Sequence, residues 1–452
     1  MDRFSCAEST TTQDSWKEYP EQSGSTASKM RNSKFAIGKR SIFALTWTTY
    51  AGFYLCRKNL SIALPLLGGA KGLSQLDLAN IIFGYSLFYA VGQFVCGPLA
   101  DRYGPRRIVG MGLLLIVASN LLMCLHGSPL WLLAFACLNG LAQSSGWSGL
   151  VKMMGNWYEG SRRGIVMAFW SINYVLGGFL ATTFATWAVT QRIVAPGLEW
   201  RRGFLFPALI LAVITIAFWL FARNSPRAAA SLPSSSKPLS DGQQDLWKFK
   251  DMLGLLRSWP LWTIGSSYFF LEMCRYALMF WLPFFLVNQM RFSLEQSGYL
   301  SSLYELVGVV GALLAGYISD RYMHSRRAPV SAVMLFGFGL VALLPAFVPH
   351  PGFVMTGVGI GLAGMLTYGP DTLLSGAAAQ DVGNGVSTAT SAGLIDGIGH
   401  LGSLLSPYLV VFVSARYGWN MLFLIFAGAA FLSAFSLIPI WKLRPSDSEA
   451  VR

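Results

Sequence analysis

The chain contains 452 residues, of which 54% are hydrophobic and only 12% are charged. A soluble protein carries roughly 25% charged residues, so this composition excludes an ordinary soluble domain and indicates an integral membrane protein. The net charge of +13 does not indicate binding to nucleic acid, because the basic residues lie mainly between hydrophobic segments, as membrane topology requires.

The first segment, residues 1–40, begins with a stretch rich in Ser, Thr, Glu and Gln and has no apolar signal region. It predicts a disordered cytosolic tail. A membrane-spanning helix needs about 20 mostly apolar residues. By this rule the rest of the chain predicts twelve spans, at about 41–67, 78–99, 106–126, 129–155, 164–190, 202–222, 260–288, 296–319, 327–347, 352–378, 384–413 and 419–441.

A long hydrophilic break divides these spans into two sets of six. Residues 223–258 are predicted to be a cytosolic linker, between an N-terminal bundle over 41–222 and a C-terminal bundle over 259–442, with a short tail at 443–452. The expected fold is therefore an all-α membrane protein with twelve transmembrane helices in two pseudo-symmetric six-helix bundles.

The distribution of Lys and Arg predicts the orientation. Basic residues concentrate in the tails, the linker and the connections after the second, fourth and eighth spans, while the opposite connections carry fewer. The positive-inside rule then places both termini and the linker in the cytoplasm, with the chain in an inner or plasma membrane.

Two arginines occupy matching positions in the first and seventh spans. The first motif reads Tyr50-x3-Tyr54-x-Cys56-Arg57-x7-Pro65, the second reads Tyr268-x3-Glu272-x-Cys274-Arg275-x7-Pro283, and 275 − 57 = 218. An arginine in hydrocarbon is costly and by default marks a functional site. Two in equivalent places of an internal repeat indicate one site near a pseudo-two-fold axis. Because guanidinium groups bind oxyanions through several hydrogen bonds, the expected ligand is a phosphate-bearing anion.

The neighbours of these arginines also have a less specific interpretation. Tyr50, Tyr54 and Arg57 share one helix face, which should turn from lipid toward a cavity. The tyrosines are equally compatible with packing or interface positions. For Arg275 the alternative is a structural ion pair with Glu272 or Glu305.

A second repeated motif lies after the second and eighth spans. It reads Gly97-Pro-Leu-Ala-Asp101-Arg102-Tyr-Gly104-Pro-Arg106-Arg107 and Gly316-Tyr-Ile-Ser-Asp320-Arg321-Tyr-Met-His-Ser-Arg326-Arg327, with 320 − 101 = 219. The pair resembles the loop signature of the major facilitator superfamily, whose fold has twelve helices in two bundles. We expect a gate on the cytoplasmic side, formed by Asp101, Arg102, Arg106, Asp320, Arg321 and Arg326. The simpler alternative is that these residues only determine topology.

The first motif resembles the organophosphate:phosphate antiporters more closely. The resemblance rests on Gly52-Phe-Tyr54-Leu-Cys-Arg57-Lys58-Asn59, Arg275-Tyr276, Leu303-Tyr304-Glu305, Tyr368-Gly-Pro370-Asp371 and Ile395-Asp396-Gly397. It implies exchange of a sugar phosphate or glycerol 3-phosphate for inorganic phosphate, with Arg57 and Arg275 as anion ligands. The chain departs from the glycerol-3-phosphate pattern at Asn173, Gln93 and Phe280, where those carriers have a histidine, a lysine and an acidic residue.

Further polar and aromatic residues at membrane depth complete the candidate site. Lys58 is expected to bridge to an acid on another helix, and Glu305 to make switching ion pairs. Trp147 is expected to line the cavity. Lys152 either adds positive charge there or extends to the cytoplasm. Asp396 and His400 either contact the sugar or relay a proton, unless they only pack helices. The remaining candidate ligands are Tyr50, Tyr54, Asn173 and Tyr276.

The expected mechanism is rocker-switch exchange, in which two like-charged arginines resist closure of the empty site until an anion neutralises them. The alternatives are a membrane sensor that signals to a kinase and a proton-coupled organic-anion symporter. The absence of Walker, metal-ligand and catalytic-triad patterns predicts no enzyme activity, no metal and no cofactor. The expected partners are a small phosphate ester, inorganic phosphate and the lipid bilayer, with no nucleic acid, and the protein is expected to be a monomer.

Overall fold

The structure is a computed structural model, and it describes residues 24–158, 163–226, 257–348, 351–378, 381 and 388–443. The described chain is almost entirely helical, as the composition predicts. Both chain ends and residues 227–256 of the predicted linker lie outside these ranges.

Seven helices form the N-terminal half. They are α1 (Gly24–Ala70), α2 (Gln75–Tyr103), α3 (Pro105–Met123), α4 (Pro129–Gln143), α5 (Ser145–Trp157), α6 (Arg163–Thr190) and α7 (Arg202–Phe221), with a 3₁₀ turn at Pro196–Arg201 before α7. The helix α1 begins well before the expected boundary at residue 41, so residues 24–40 are helical rather than an irregular tail. This segment lacks proline and contains several good helix formers, so the helix can extend from the apolar span at little cost.

Five helices form the C-terminal half. They are α8 (Trp259–Asn288), α9 (Leu294–Arg321), α10 (Arg327–Phe347), α11 (Phe353–Thr372) and α12 (Thr388–Ser436), with a π turn at Leu373–Ala378 and a 3₁₀ turn at Ile438–Ile440. The two halves repeat a local detail as well as the arginines. Ser74 before α2 and Ser293 before α9 both make capping boxes, and 293 − 74 = 219.

The twelve predicted spans map onto these helices, but not one to one. The fourth predicted span is divided at Ser144 into α4 and α5. The last two predicted spans lie on either side of Gly418, whose φ of +83° breaks α12 between them. Within the described residues, nine helices meet the length and hydropathy expected of a membrane span, one of them the long Ser391–Ile440 stretch. The fold class is therefore confirmed, although the number of separate helices is not.

The two halves meet along three helix pairs, α1 with α8, α2 with α12, and α6 with α9. One apolar cluster joins the halves where α1 and α8 end, and it includes Leu64, Leu67, Ile81, Phe284 and Phe285. We call this the closed end. At the opposite end, where α2, α5 and α9 end, the halves have separate apolar clusters, and we call this the open end.

Candidate functional site

Arg57 lies on α1 at the boundary between the halves and is 5% exposed. Its Nη2 donates to Oε1 of Gln143 on α4 at 3.3 Å. The guanidinium carbon lies 4.7 Å from the ring centre of Tyr54 and 4.9 Å from that of Tyr89. Among the described residues its buried Nε has no hydrogen-bond partner. The charge of Arg57 is thus held by neutral groups and by aromatic faces, which attract cations.

Arg275, the matching arginine on α8, has a different environment. Its Nε donates to Oε1 of Glu272 at 2.7 Å, and its Nη1 lies 3.5 Å from Oδ2 of Asp371 on α11. Asp371 also accepts hydrogen bonds from Tyr268 at 2.8 Å and, across the boundary between the halves, from Tyr174 on α6 at 3.3 Å. The ion pair with Glu272, which the sequence left open as an alternative, is therefore present. Two carboxylates therefore compensate Arg275, whereas the sequence predicted that the two arginines face each other as like charges.

Lys58 and Glu305 form a buried ion pair across the boundary between the halves. Lys58 is on α1 beside Arg57 but points to another side of the helix, as consecutive residues must. Glu305 is on α9, so Lys58 bridges to an acid on another helix, as the sequence predicted. The second oxygen of Glu305, Oε2, is buried and has no partner among the described residues.

Aromatic rings enclose the space around the two arginines. The ring centre of Tyr50 lies 5.4 Å from Trp147 and 5.8 Å from Tyr54. Trp147 remains 36% exposed, as expected of a residue at a cavity wall. The imidazole of His400 on α12 packs edge-on against Tyr89 and Tyr276 at 5.5 and 5.9 Å. These contacts bring six sequence-predicted residues into one cluster with the arginines: Tyr50, Tyr54, Trp147, Tyr276, Asp396 and His400.

Two predicted ligands have other surroundings. The Nζ atom of Lys152 lies 3.4 Å from the carbonyl oxygen of Ala100 near the end of α2, so its ammonium extends to the open end. Asn173 on α6 is fully buried, and neither polar atom of its amide has a partner among the described residues. Burying such an amide costs free energy unless it is hydrogen-bonded. Its unpaired atoms are compatible with a site that a polar ligand completes.

Sequence reasoning missed several residues that contact the arginines. Gln143, Tyr89 and Tyr174 touch the charged cluster but were not predicted. A signal existed for two of them, because Asn139 and Gln143 recur four positions apart on α4, as do Tyr85 and Tyr89 on α2. Such spacing places polar groups on one face of an apolar helix.

The expected gate residues make contacts within their own halves. The backbone N–H of Arg106 donates to Asn224 at 2.9 Å and its side chain donates to the carbonyl of Trp219 at 2.5 Å. Asp320 pairs at 2.5 Å with Arg327, the residue after the predicted gate residue Arg326. The guanidinium of Arg102 lies over Tyr103 of its own helix. The side chain of Asp101 lies outside the part of the chain that the structure describes.

A separate cavity of about 120 Å³ lies inside the C-terminal half toward the closed end. Its lining is mostly apolar and includes Leu278, Phe338, Ile360 and Phe423. Neither arginine lines it, so it is not the candidate site.

The fold and this buried, charged site between two helical halves define a polytopic membrane protein of the transporter type. The family model of the Major Facilitator Superfamily matches residues 46–393, and the chain belongs to this superfamily. The superfamily and the relatives found by sequence are transporters rather than enzymes.

Three curated relatives cover most of the chain. The glycerol-3-phosphate transporter of Bacillus subtilis (strain 168) is 29% identical over 415 residues, which cover 89% of this chain and 92% of the relative. Putative glycerol-3-phosphate transporter 2 of Arabidopsis thaliana is 28% identical, and the match covers 88% of this chain and 85% of that relative. The probable hexose phosphate transport protein of Chlamydia trachomatis serovar D is 26% identical, and the match covers 90% of this chain and 92% of that relative.

Among solved structures, a bacterial homolog of the human lysosomal transporter Spinster, in an inward-facing and unoccupied conformation, superimposes with a TM-score of 0.72. It covers 92% of this chain and 98% of its own, at 14% sequence identity. This likeness shows the fold alone.

Proposed function

We propose that this protein exchanges a phosphate monoester, of the sugar-phosphate or glycerol-phosphate class, for inorganic phosphate. The names of its relatives support this substrate class. The observation that carries the proposal is the environment of Arg57.

Arg57 stands out among the cations of the central cluster. Lys58 pairs with Glu305, and Arg275 pairs with Glu272 and Asp371. Arg57 instead has a neutral amide, two aromatic faces and an unpaired Nε. An uncompensated guanidinium at this depth is costly. A phosphate group would offer it several acceptor oxygens in a geometry that guanidinium groups bind well.

Arg275 is the second ligand, and it must be recruited. A bound phosphate monoester carries about −1.5 to −2 charges and competes with Glu272 and Asp371 for the guanidinium. The imidazole of His400 packs against both Tyr89 and Tyr276, whose rings lie beside Arg57 and Arg275, so the two guanidinium groups border the same region. Loading therefore draws α1 and α8 together and weakens the carboxylate contacts of Arg275.

Exchange follows from which states cross the membrane easily. Among the described residues, an apolar cluster joins the halves at the closed end, whereas each half has its own cluster at the open end. This arrangement supports an assignment to one of the two conformations that alternating access requires. The distribution of basic residues makes the open end cytoplasmic. An empty site leaves Arg57 uncompensated when the halves close around it, so the return step also requires an anion. Inorganic phosphate is the natural counter-substrate.

The proposal is tested with purified protein in vesicles loaded with unlabelled phosphate. Uptake of radiolabelled phosphate should depend on internal phosphate, and external glycerol 3-phosphate or hexose phosphates should compete. Arg275→Lys should lose exchange, because an ammonium cannot reproduce the planar guanidinium. Binding of phosphate esters without exchange would instead indicate a sensor. Uptake driven by a proton gradient and indifferent to internal phosphate would indicate a symporter.

A further inference from the structure

A tyrosine links His400 to each of the two arginines. The ring centre of Tyr89 lies 5.5 Å from that of the imidazole and 4.9 Å from the guanidinium carbon of Arg57. The ring centre of Tyr276 lies 5.9 Å from that of the imidazole and 5.8 Å from the guanidinium carbon of Arg275. The imidazole thus lies close to the region where one anion would contact both arginines.

Charged and titratable groups face His400 from the neighbouring helices. On its own helix, Oδ2 of Asp396 lies 3.4 Å from its Nε2. The helix α8 contributes Tyr276, which contacts the imidazole, and the neighbouring ion pair of Glu272 with Arg275. The helix α2 contributes Tyr89. The side chain of His400 is 12% exposed, so it is largely removed from solvent.

The contact with Asp396 determines what the other ring nitrogen can do. When Nε2 carries the proton that faces Asp396, the neutral ring presents a lone pair at Nδ1. Protonation turns Nδ1 into a second N–H donor, while Nε2 keeps its contact with the carboxylate. A phosphate oxygen is repelled by the lone pair and attracted by the N–H of the imidazolium.

We propose that His400 is a third ligand of the phosphate group and that its protonation controls the affinity for phosphate. This inference rests on the proposed function and assigns one specific residue to the phosphate end of the substrate. Imidazole and phosphate monoesters both titrate in the range of about pH 6 to 6.5 in water. Small changes of cellular pH would then alter ligand and site together.

The test measures binding of inorganic phosphate to purified protein between about pH 5.5 and 8.5, a range that spans the titration of imidazole. Wild type is compared at each pH with His400→Gln, so that the titration of phosphate itself cancels in the ratio of affinities. At about pH 5.5 the variant should bind about tenfold more weakly or worse, the value of one charge-assisted hydrogen bond. The ratio should fall toward one as the pH rises and His400 loses its proton.

Two further variants separate this role from simple packing. His400→Lys places an ammonium group at this position. At high pH, where wild type loses affinity for phosphate, this variant should lose less of it. Asp396→Asn should move the midpoint of the affinity ratio to lower pH, because the imidazolium loses its carboxylate. The matched control is His324→Asn, since His324 is exposed and has φ +53°, a conformation that asparagine tolerates.

The outcomes are distinguishable. A ratio between wild type and His400→Gln that stays constant with pH would overturn the proposal, whatever its size, because packing does not titrate. Equal affinities at every pH would do the same. Failure of wild type to bind either inorganic phosphate or glycerol 3-phosphate would overturn the proposed function as well.

Discussion

Lys58 on α1 and Glu305 on α9 form an ion pair between the two halves in which neither side chain is more than 3% exposed. Burying two charges costs several kcal/mol per ion, and their attraction offsets this cost only while both are present. The pair therefore links the halves more through the penalty for breaking it than through a net gain from forming it.

Removing one partner should be much worse than removing both. Lys58→Met leaves Glu305 as an unpaired buried carboxylate and should lower stability by about 3–5 kcal/mol. The double variant Lys58→Met/Glu305→Leu should recover most of that loss, since apolar groups can replace a buried pair at little cost. Thermal unfolding of the purified proteins measures both effects. A double variant no more stable than Lys58→Met would contradict this account.

The two arginines should respond differently to the same substitution. Arg57→Gln removes a cation that has no carboxylate, so thermal stability should be unchanged or higher while phosphate binding weakens by about 100-fold, the value of two charge-assisted hydrogen bonds. Arg275→Gln leaves the buried carboxylates of Glu272 and Asp371 without their cation. It should therefore lower both thermal stability and the affinity for phosphate.

The control for this comparison is Arg275→Gln combined with Glu272→Gln. It should regain stability, because fewer buried carboxylates remain unpaired, but it should not regain phosphate binding. If Arg57→Gln proved as unstable as Arg275→Gln, the assignment of Arg57 as the uncompensated charge would be wrong.

The sequence predicted the membrane fold and the repeated arginines because both leave one-dimensional signals. Hydrophobic runs mark spans regardless of their packing, and the offset of 218 between Arg57 and Arg275 is visible without coordinates. The division at Ser144 was not predictable, because an apolar run does not record where a helix breaks.

The electrostatics of the site required three dimensions. Asp371 lies 96 positions after Arg275, as 371 − 275 = 96, and no local pattern pairs them, yet they meet at 3.5 Å. The link from Tyr174 to Asp371 joins the two halves of the chain and is equally invisible in the sequence. The sequence therefore identified the cations and offered Glu272 as one counter-charge of Arg275, but it could not assign Asp371 to Arg275 or Glu305 to Lys58.

Gly298 should control the balance between the two conformations. A methyl group added at Gly298 on α9 would lie 2.1 Å from Oγ1 of Thr186 on α6, across the boundary between the halves at the closed end. Because threonine is short and stiff, Gly298→Val should push the halves apart there and favour the alternative conformation. Gly316→Val is the matched control on the same helix, since nothing lies within 4 Å of its added carbon.

Spin labels measure this effect directly. Cysteines introduced at the exposed positions Ile193 and Glu295 report the separation at the closed end, in a background without the native cysteines. Gly298→Val should shift the distance distribution to longer values, and Gly316→Val should not. An unchanged distribution in Gly298→Val would show that the contact with Thr186 does not limit opening.

The helix α11 contains a run of glycines, Gly357, Gly359, Gly361 and Gly364, which allows a test of helix packing inside the C-terminal half. A methyl group at Gly364 would lie 1.9 Å from the carbonyl oxygen of Tyr304, whereas one at Gly359 would meet nothing within 4 Å. Gly364→Ala should therefore destabilise the protein by about 1–3 kcal/mol or more, since the backbones of α9 and α11 must separate. Gly359→Ala should be neutral or stabilising by up to about 1 kcal/mol, because alanine is the better helix former. Thermal unfolding of the two variants decides the matter. Equal destabilisation would mean that the glycines provide flexibility along α11 rather than close approach to α9, because flexibility is lost at both positions and steric contact at only one.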